Sequence, residues 1–133
     1  MNWSYIAGFT DGEGCIGCRQ SGKWGFYYPV SLAQSGCEGL EVLREIATFL
    51  EKEGVTAKVY TRKAPLTGFS KRIQHSLYVG QRSSVEKFLR GVLPFLRVKR
   101  LKAQDALRML TIYPMLPHGG NLCWESRRGN AIL

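Results

Sequence analysis

The chain of 133 residues is 44% hydrophobic and carries a formal net charge of +9. Its length and apolar content predict a single folded domain with a hydrophobic core and exclude an intrinsically disordered chain. No apolar run approaches the roughly 18 residues that a membrane-spanning helix needs, and no basic segment precedes an apolar stretch at the N-terminus, so neither a membrane partner nor a secretory signal is expected.

The positive charge is concentrated in the second part of the chain. Residues 1–54 hold four Lys or Arg against seven Asp or Glu, whereas residues 55–133 hold fifteen against three. An asymmetry this large favours a polyanionic partner, nucleic acid above all. The alternative is a basic, well-solvated surface that binds nothing in particular.

The first predicted element is a short helix that runs to about Asp11. Gly8 and Gly12 stand four residues apart and share one helix face, which has no side chain to hold a second helix away. Glu13 follows at the end of this face. If a second copy of the helix packs there about a two-fold axis, two carboxylates come together and make a plausible site for a divalent metal. The alternative is an ordinary helix with a glycine C-cap.

A strand pair and a second helix follow. Residues 15–20 and 26–34 are predicted to form a hairpin, with Pro29 at an edge or a bulge because proline lacks an amide hydrogen. The segment Ser35–Glu38 has the pattern of a capping box and predicts the start of a helix. Gly54 predicts the end of that helix.

A second strand pair and two helices complete the pattern. Residues 55–63 and 70–79 are the predicted strands. The segment Ser83–Glu86 is again read as a capping box that opens a helix. The last helix is predicted from about Lys99, and Pro114 ends it.

The predicted order of elements is therefore α-β-β-α-β-β-α-α. Two hairpins in one antiparallel sheet, with all helices on one face, make an α+β domain over residues 1–113. Residues 114–133 form a tail with no pattern that predicts structure. The sheet face away from the helices must be covered by water or by a ligand.

The second strand pair indicates whether water or a ligand covers the outer sheet face. Apolar and polar residues alternate, so one face is apolar and the other polar. Ile73, Leu77 and Val79 are predicted to point inward, and the predicted outward residues are Lys58, Tyr60, Arg62, Arg72, Gln74, Ser76 and Tyr78. None of the outward residues is acidic, Arg and Gln can pair with guanine and adenine edges, and a β-ribbon fits the major groove of DNA. The face is interpreted as a DNA-binding surface, and the alternative is a merely solvated sheet face.

The first strand pair gives a weaker signal. The residues predicted to face the helices are Ile16, Cys18, Phe26, Tyr28, Val30 and Leu32. The outward positions are then Gly17, Arg19, Tyr27, Pro29, Ser31 and Ala33, of which only Arg19 is charged. DNA contacts from this pair are expected to be few, water-mediated or apolar.

Four cysteines raise the question of a zinc site, since Cys15 and Cys18 form a C-x-x-C pair. A separation of three along a strand places two side chains on opposite faces, and Cys37 and Cys123 do not form a second close pair. No zinc is expected, and four reduced thiols are predicted instead.

Three segments together resemble the LAGLIDADG family of homing endonucleases. The nine residues from Ile6 to Gly14 are similar to the family motif, with Ala7-Gly8 identical and Glu13 in place of the second Asp. The segment from Phe26 to Gln34 resembles the second DNA-facing strand of the family, which ends in a polar active-site residue. The segment from Pro94 to Lys99 resembles an element whose last Lys reaches the active site.

The resemblance implies a Mg²⁺-dependent endonuclease that cuts double-stranded DNA. It implies Glu13 as the metal ligand, with the Gly12 backbone carbonyl as a second oxygen. Gln34 would position the attacking water, and Lys99 would stabilise negative charge on the phosphate or the hydroxide. Relatives commonly have Lys or Arg shortly after the position of Gln34, where this chain has Ser35 and Glu38. Arg19 is a candidate to supply that charge.

The resemblance also implies a homodimer, because the chain has one motif copy. The predicted interface is the motif helix, with Ala7, Gly8, Asp11 and Gly12. Lys102 is predicted to hold DNA phosphates, while Arg72 and Gln74 carry base preference. A near-palindromic DNA site follows from two-fold symmetry. The alternatives are an RNA splicing maturase and a catalytically inactive DNA-binding regulator on the same fold.

Overall fold

Helices and antiparallel strands follow one another in the computed structural model of the chain, which describes residues 1–20, 26–62 and 73–112. The described helices and strands, with one 3₁₀ turn at Leu93–Phe95, are α1 (Trp3–Glu13), β1 (Gly14–Ile16), β2 (Arg19–Gln20), β3 (Phe26–Tyr27), β4 (Val30–Ser35), α2 (Gly36–Lys52), β5 (Lys58–Arg62), β6 (Gln74–Val79), α3 (Arg82–Val92) and α4 (Arg100–Ile112). Pro114, Cys123 and the predicted tail lie outside the described residues.

Strands β1, β4, β6 and β5 form a four-stranded antiparallel sheet in that order, so the second hairpin joins the first through β6. Helices α1 and α2 pack against this sheet, and α3 packs against α1 and α4. The side chains of Leu32 and Leu77, which pair across β4 and β6, are fully buried in the core below the sheet. The predicted α+β architecture is confirmed.

The first hairpin is broken where one continuous strand pair was predicted. Strands β1 and β4 stop pairing at Ile16 and Val30, and the short strands β2 and β3 form a separate pair. Pro29 lies in the gap, as its missing amide hydrogen predicts. The Gly17 amide donates to the Pro29 carbonyl at 2.8 Å, which holds the two strands together across the break. Gly17 and Pro29, predicted at outward positions, are buried.

The predicted helix starts need correction. Ser35 occupies the N-cap position of α2 but makes no side-chain capping hydrogen bond, and α3 begins at Arg82, before the predicted box. The hydroxyl of Ser84, the second Ser of that box, accepts a hydrogen bond from the Thr56 amide at 2.8 Å. The end of α2 was predicted correctly, since Gly54 has a φ of 80° that a side chain would disfavour.

Replacing Ser84 by Ala is expected to lower the free energy of unfolding by about 1 kcal/mol, because the Thr56 amide loses its hydrogen bond to the buried Ser84 hydroxyl. Chemical denaturation measures this change. The matched control is Ser83→Ala, whose side chain is exposed and whose effect should stay within about 0.5 kcal/mol. Equal effects of the two substitutions would contradict a role for Ser84 in joining α3 to the segment before β5.

Among the described residues, no helix is long and apolar enough to cross a membrane. Cys15 and Cys37 are exposed free thiols, whereas Cys18 is buried and disulfide-bonded. The prediction of four reduced thiols was therefore wrong at Cys18.

Candidate metal centre and nucleic-acid interface

The motif helix α1 ends abruptly and leaves Glu13 exposed at its last position. The Asn2 side chain caps the other end by accepting the Tyr5 amide at 2.8 Å. At Gly14 the chain turns into β1, and its amide donates to the Thr10 carbonyl. A Cβ atom at Gly14 would lie 2.7 Å from the Thr10 carbonyl oxygen, so only glycine fits this turn. The turn places the Glu13 carboxylate where α1 meets the sheet.

Asp11 and Lys99 join the end of α1 to the segment that leads into α4. The Asp11 carboxylate accepts the backbone amides of Arg97, Val98 and Lys99 at 2.8, 3.1 and 2.9 Å. The Lys99 ammonium donates in return to the Asp11 carbonyl at 2.7 Å. We call this set of four hydrogen bonds the Asp11–Lys99 clamp. It holds the Lys99 ammonium at a carbonyl that lies two residues before Glu13 in the chain.

The charge of Asp11 is stabilised by the clamp. Burial raises the pKa of Asp11, but the backbone amides of Arg97, Lys99 and Val98 and the positive charge of Lys99 outweigh it, so the net pKa lies below the usual aspartate value. The carboxylate is therefore ionised at neutral pH. Asp11 was predicted at a dimer interface, whereas its carboxylate is bonded within its own chain.

Gln34 lies on the inner side of the sheet. It pairs with His75 across β4 and β6, and His75 pairs with Thr61 across β6 and β5, so the three side chains share one face. His75 is buried, and its Nδ1 lies 3.0 Å from the Thr61 hydroxyl oxygen. A Cβ atom at Gly39 would lie 2.7 Å from the Gln34 Cβ atom, so α2 passes close over Gln34.

His75 was not among the predicted site residues, and Ile73 was predicted to point inward. Ile73 lies before β6 and is 51% exposed, and His75 takes the inward position instead. Gln34 itself is half-buried at the end of β4, two residues from Leu32, which pairs with Gly14. The structure therefore brings Gln34 to the level of the α1–β1 junction but not to the outer sheet face.

One face of α1 is open. Gly8 and Gly12 are exposed, and a Cβ atom built at either glycine would have no neighbour within 4 Å. Tyr5 is 48% exposed, and its ring centroid lies 6.2 Å from that of Phe9. Tyr5, Gly8, Phe9 and Gly12 have the spacing of one helix stripe. Ala7, predicted in the dimer interface, is fully buried in the core and does not belong to this stripe.

The outer face of the sheet carries the side chains predicted for DNA binding. Residues directly opposite each other in neighbouring strands point to the same side, so the register divides this face into rows. The rows are Cys15, Ser31, Tyr78 and Lys58, then Ala33, Ser76 and Tyr60, then Ser35, Gln74 and Arg62. No residue in these rows is acidic. Arg72 lies outside the described residues.

Tyrosines form a cluster in the middle of the outer face. The ring centroids of Tyr60 and Tyr78 are 6.5 Å apart in an edge-to-face arrangement. Burial raises the pKa of Tyr78, nearby Tyr27 and Tyr60 raise it further, and Arg19 acts in the opposite direction. Arg19 and Tyr27, which pair between β2 and β3, are thus close to Tyr78. The strand alternation predicts Arg19 and Tyr27 on the outer side but does not predict that they form a separate strand pair.

Charge is separated between the two sides of the sheet. Helix α2, which packs on the inner side, carries Glu38, Glu41, Glu45 and Glu51. Lys58 and Arg62 on the outer face are exposed, as is Lys102 in the first turn of α4. In the described ranges, no group of three or more His, Cys, Asp or Glu side chains could hold a metal ion.

No protein-family model and no curated protein matches the chain. Solved structures do. The chain superposes on the homing endonuclease I-CvuI in complex with its target with a TM-score of 0.68 and 21% identity, over 84% of this chain and 67% of that chain. A second I-CvuI structure, with the I-CreI target and Mg, has a TM-score of 0.63 and the same identity and coverage. The LAGLIDADG meganuclease I-AabMI bound to uncleaved DNA has a TM-score of 0.66 and 15% identity, over 86% of this chain and 38% of that chain. The chain has the fold of the LAGLIDADG homing endonucleases.

Proposed function

We propose that the chain is a site-specific, metal-dependent endonuclease of the homing type that cuts double-stranded DNA as a homodimer. One observation carries the proposal. The motif helix ends in an exposed carboxylate, Glu13, and the Lys99 ammonium is bonded to the same helix end. A carboxylate that can hold a metal and a cation fixed at the same helix end can both neutralise charge that develops during phosphodiester hydrolysis.

DNA is the proposed partner of the outer sheet face. Its rows offer Lys, Arg, Gln, Ser and Tyr side chains and no carboxylate, and the acidic residues of α2 lie on the opposite side. Arg62 and Gln74 pair directly across β5 and β6, so a guanine-reading and an adenine-reading side chain stand side by side. The I-CvuI and I-AabMI structures are DNA complexes, which supports the same partner for this chain.

Mg²⁺ is the proposed cofactor, and the residues present fit it. Mg²⁺ prefers oxygen ligands and is typically held by one or two carboxylates together with substrate phosphates. Glu13 supplies a carboxylate in this proposal, and the Gly12 carbonyl supplies a second oxygen at the helix end. The bound ion would neutralise charge on the scissile phosphate and lower the pKa of the attacking water.

Chain groups would assist this chemistry. The Lys99 ammonium has three donors, of which the clamp uses one, so it can also stabilise phosphate oxygens. Gln34 can orient water only by hydrogen bonding, since a side-chain amide cannot act as a general base at neutral pH. This role requires its side chain to reach the α1–β1 junction from the inner sheet face. Arg19 lies beside Tyr78 and is assigned to DNA contact rather than to the chemistry.

The open stripe of α1 is the proposed dimer interface, with Gly8 and Gly12 at its centre. Two such helices can approach closely because neither glycine carries a side chain. A two-fold dimer places two Glu13 residues near one axis and two outer faces along one DNA duplex, so the target is a near-palindromic site.

Two other functions on this fold remain in competition. An RNA splicing maturase would need no acidic metal ligand, and the presence of Glu13 favours the nuclease. An inactive DNA-binding regulator would bind a specific site without cutting it. Incubation with a plasmid library of randomised sites distinguishes the three. The nuclease is expected to give Mg²⁺-dependent linear plasmid cut at one near-palindromic site, and chelation should stop the reaction. Specific binding without scission would contradict the proposal.

Base preference and general affinity are expected to depend on different side chains. Arg62→Ala or Gln74→Ala should weaken binding to DNA that carries the preferred base pair by about 1–3 kcal/mol. Each change should also relax base selection at that position. Lys102→Ala should weaken binding to all sequences alike and reduce the slope of log affinity against log salt by about 1 for each Lys removed, which is about 2 for a homodimer. Binding to a set of single-base site variants at two salt concentrations measures both effects. Unchanged selection by the Arg62 and Gln74 variants would contradict the outer face as the reading surface.

A further inference from the structure

The Asp11–Lys99 clamp joins two segments that the proposed chemistry must hold together. Its partners are 86 to 88 residues apart in sequence. Three successive amides, from Arg97 to Lys99, converge on one carboxylate, which is the geometry of a backbone anion-binding nest. The Lys99 carbonyl accepts the Ala103 amide, so Lys99 is also the residue from which α4 starts. Asp11 therefore fixes the backbone of Lys99 and not only its side chain.

Fixing the backbone matters because lysine is a poor positioning group by itself. Its charge sits on a four-carbon stem with about 2 kcal/mol of rotamer entropy. Because Asp11 holds the Lys99 backbone, only the side chain of Lys99 remains to be ordered. Its ammonium donates to the Asp11 carbonyl oxygen at 2.7 Å, two residues before Glu13. The ammonium also lies at the C-terminal end of α1, where the helix dipole favours a cation.

We propose that Asp11 is a positioning residue that acts through Lys99. It holds the Lys99 ammonium at the Glu13 end of α1, where the ammonium stabilises negative charge as water attacks the DNA phosphate. The inference rests on the proposed nuclease function. It assigns to Asp11 a role in the chemistry that is separate from dimerisation, and it involves no direct contact between Asp11 and the metal or the DNA. Loss of Asp11 would then matter only while Lys99 is present.

A double-mutant cycle tests this dependence. Asp11→Asn keeps the size of the side chain but removes the charge and one acceptor oxygen. Single-turnover scission of a mapped target in Mg²⁺ should slow roughly 10- to 100-fold, because a misplaced group commonly costs this much. DNA affinity, measured in the same buffer with Ca²⁺ in place of Mg²⁺, should stay within about threefold. In the Lys99→Met background, the same Asp11→Asn change should slow scission less than about twofold.

The matched control is Asn2→Ala, which removes a capping hydrogen bond from the other end of α1 without touching the clamp. Asn2→Ala should alter the scission rate by less than about twofold in both backgrounds. This should hold even if the melting temperature of the Asn2→Ala protein falls as far as that of the Asp11→Asn protein. If Asp11→Asn does not fold at the assay temperature, Asp11→Glu keeps the charge and both oxygens. It should give a smaller loss with the same dependence on Lys99.

The possible results separate this inference from the function on which it rests. Wild-type protein that fails to cut any site overturns the proposed function. Wild-type scission with an equal loss from Asp11→Asn in the wild-type and Lys99→Met backgrounds overturns the inference alone, since Asp11 would then act independently of Lys99. A loss confined to the background that contains Lys99 supports it.

Discussion

Glu13→Gln is expected to lower Mg²⁺-dependent scission on the order of 10³-fold or more, which corresponds to about 4 kcal/mol of transition-state stabilisation. Glutamine keeps the size and shape of the side chain but cannot supply the negative charge that holds the ion. Specific DNA affinity should be retained or rise slightly, because a carboxylate near the duplex repels phosphate when no metal screens it. Binding and scission must be scored separately on one target at fixed salt.

The matched control for this change is Glu41→Gln, an exposed carboxylate on α2, on the other side of the sheet. It should leave scission within about twofold of wild type, since it removes the same charge on the side of the sheet away from the proposed DNA-binding face. Scission by Glu13→Gln at the wild-type rate would mean that the exposed end of α1 is structural and that the metal is held elsewhere.

Gly8→Leu is expected to convert the proposed dimer to monomer and to abolish scission. Within one chain a side chain at Gly8 meets nothing within 4 Å, so the substitution should not unfold the protomer. Gly8→Ala sharpens the contrast. It should stabilise the isolated helix by about 1 kcal/mol and yet weaken the dimer, because the added methyl separates the two backbones. Sedimentation and thermal melting at several protein concentrations measure the two effects.

Glu45→Leu provides the comparison for Gly8→Leu, since it adds a Leu at an exposed site of α2 instead of α1. It should leave the mass in solution unchanged. A Gly8→Leu protein that remains a dimer would show that the stripe of Tyr5, Gly8, Phe9 and Gly12 is not the interface between protomers.

Local sequence patterns predicted most of the fold, because the spacing of apolar residues and the Gly and Pro residues that end helices and strands act locally. The alternation in the second hairpin gave the correct faces for Lys58, Tyr60 and Leu77, and Gly54 ended α2 as predicted. The errors arose where a tertiary contact competes with a local motif. The box Ser83–Glu86 predicted the start of α3, but the helix begins at Arg82, and Ser84 inside it is bonded to Thr56, 28 residues away.

The candidate site was predictable only where it lies in one segment. Glu13, Gly8 and Gly12 were predicted from the motif helix alone; they are exposed, and their roles stay predictions. The clamp could not be read, because an aspartate near a helix end gives no signal of three amides 86 to 88 residues away. The pairing of Gln34 with His75 likewise depends on the register between β4 and β6, which no spacing in the sequence specifies.

Mixed dimers of wild-type and Glu13→Gln protomers test the central claim most directly. The claim is that two copies of the chain each contribute one Glu13 and each cut one strand. Protomers with two different tags can be co-produced, purified through both tags and given plasmid with one mapped target. Nicked circles, with scission confined to one strand of each molecule, are the expected product, beside linear plasmid from the wild-type dimer. Linear plasmid from the mixed dimer at the wild-type rate, with no nicked product above background, would contradict the account.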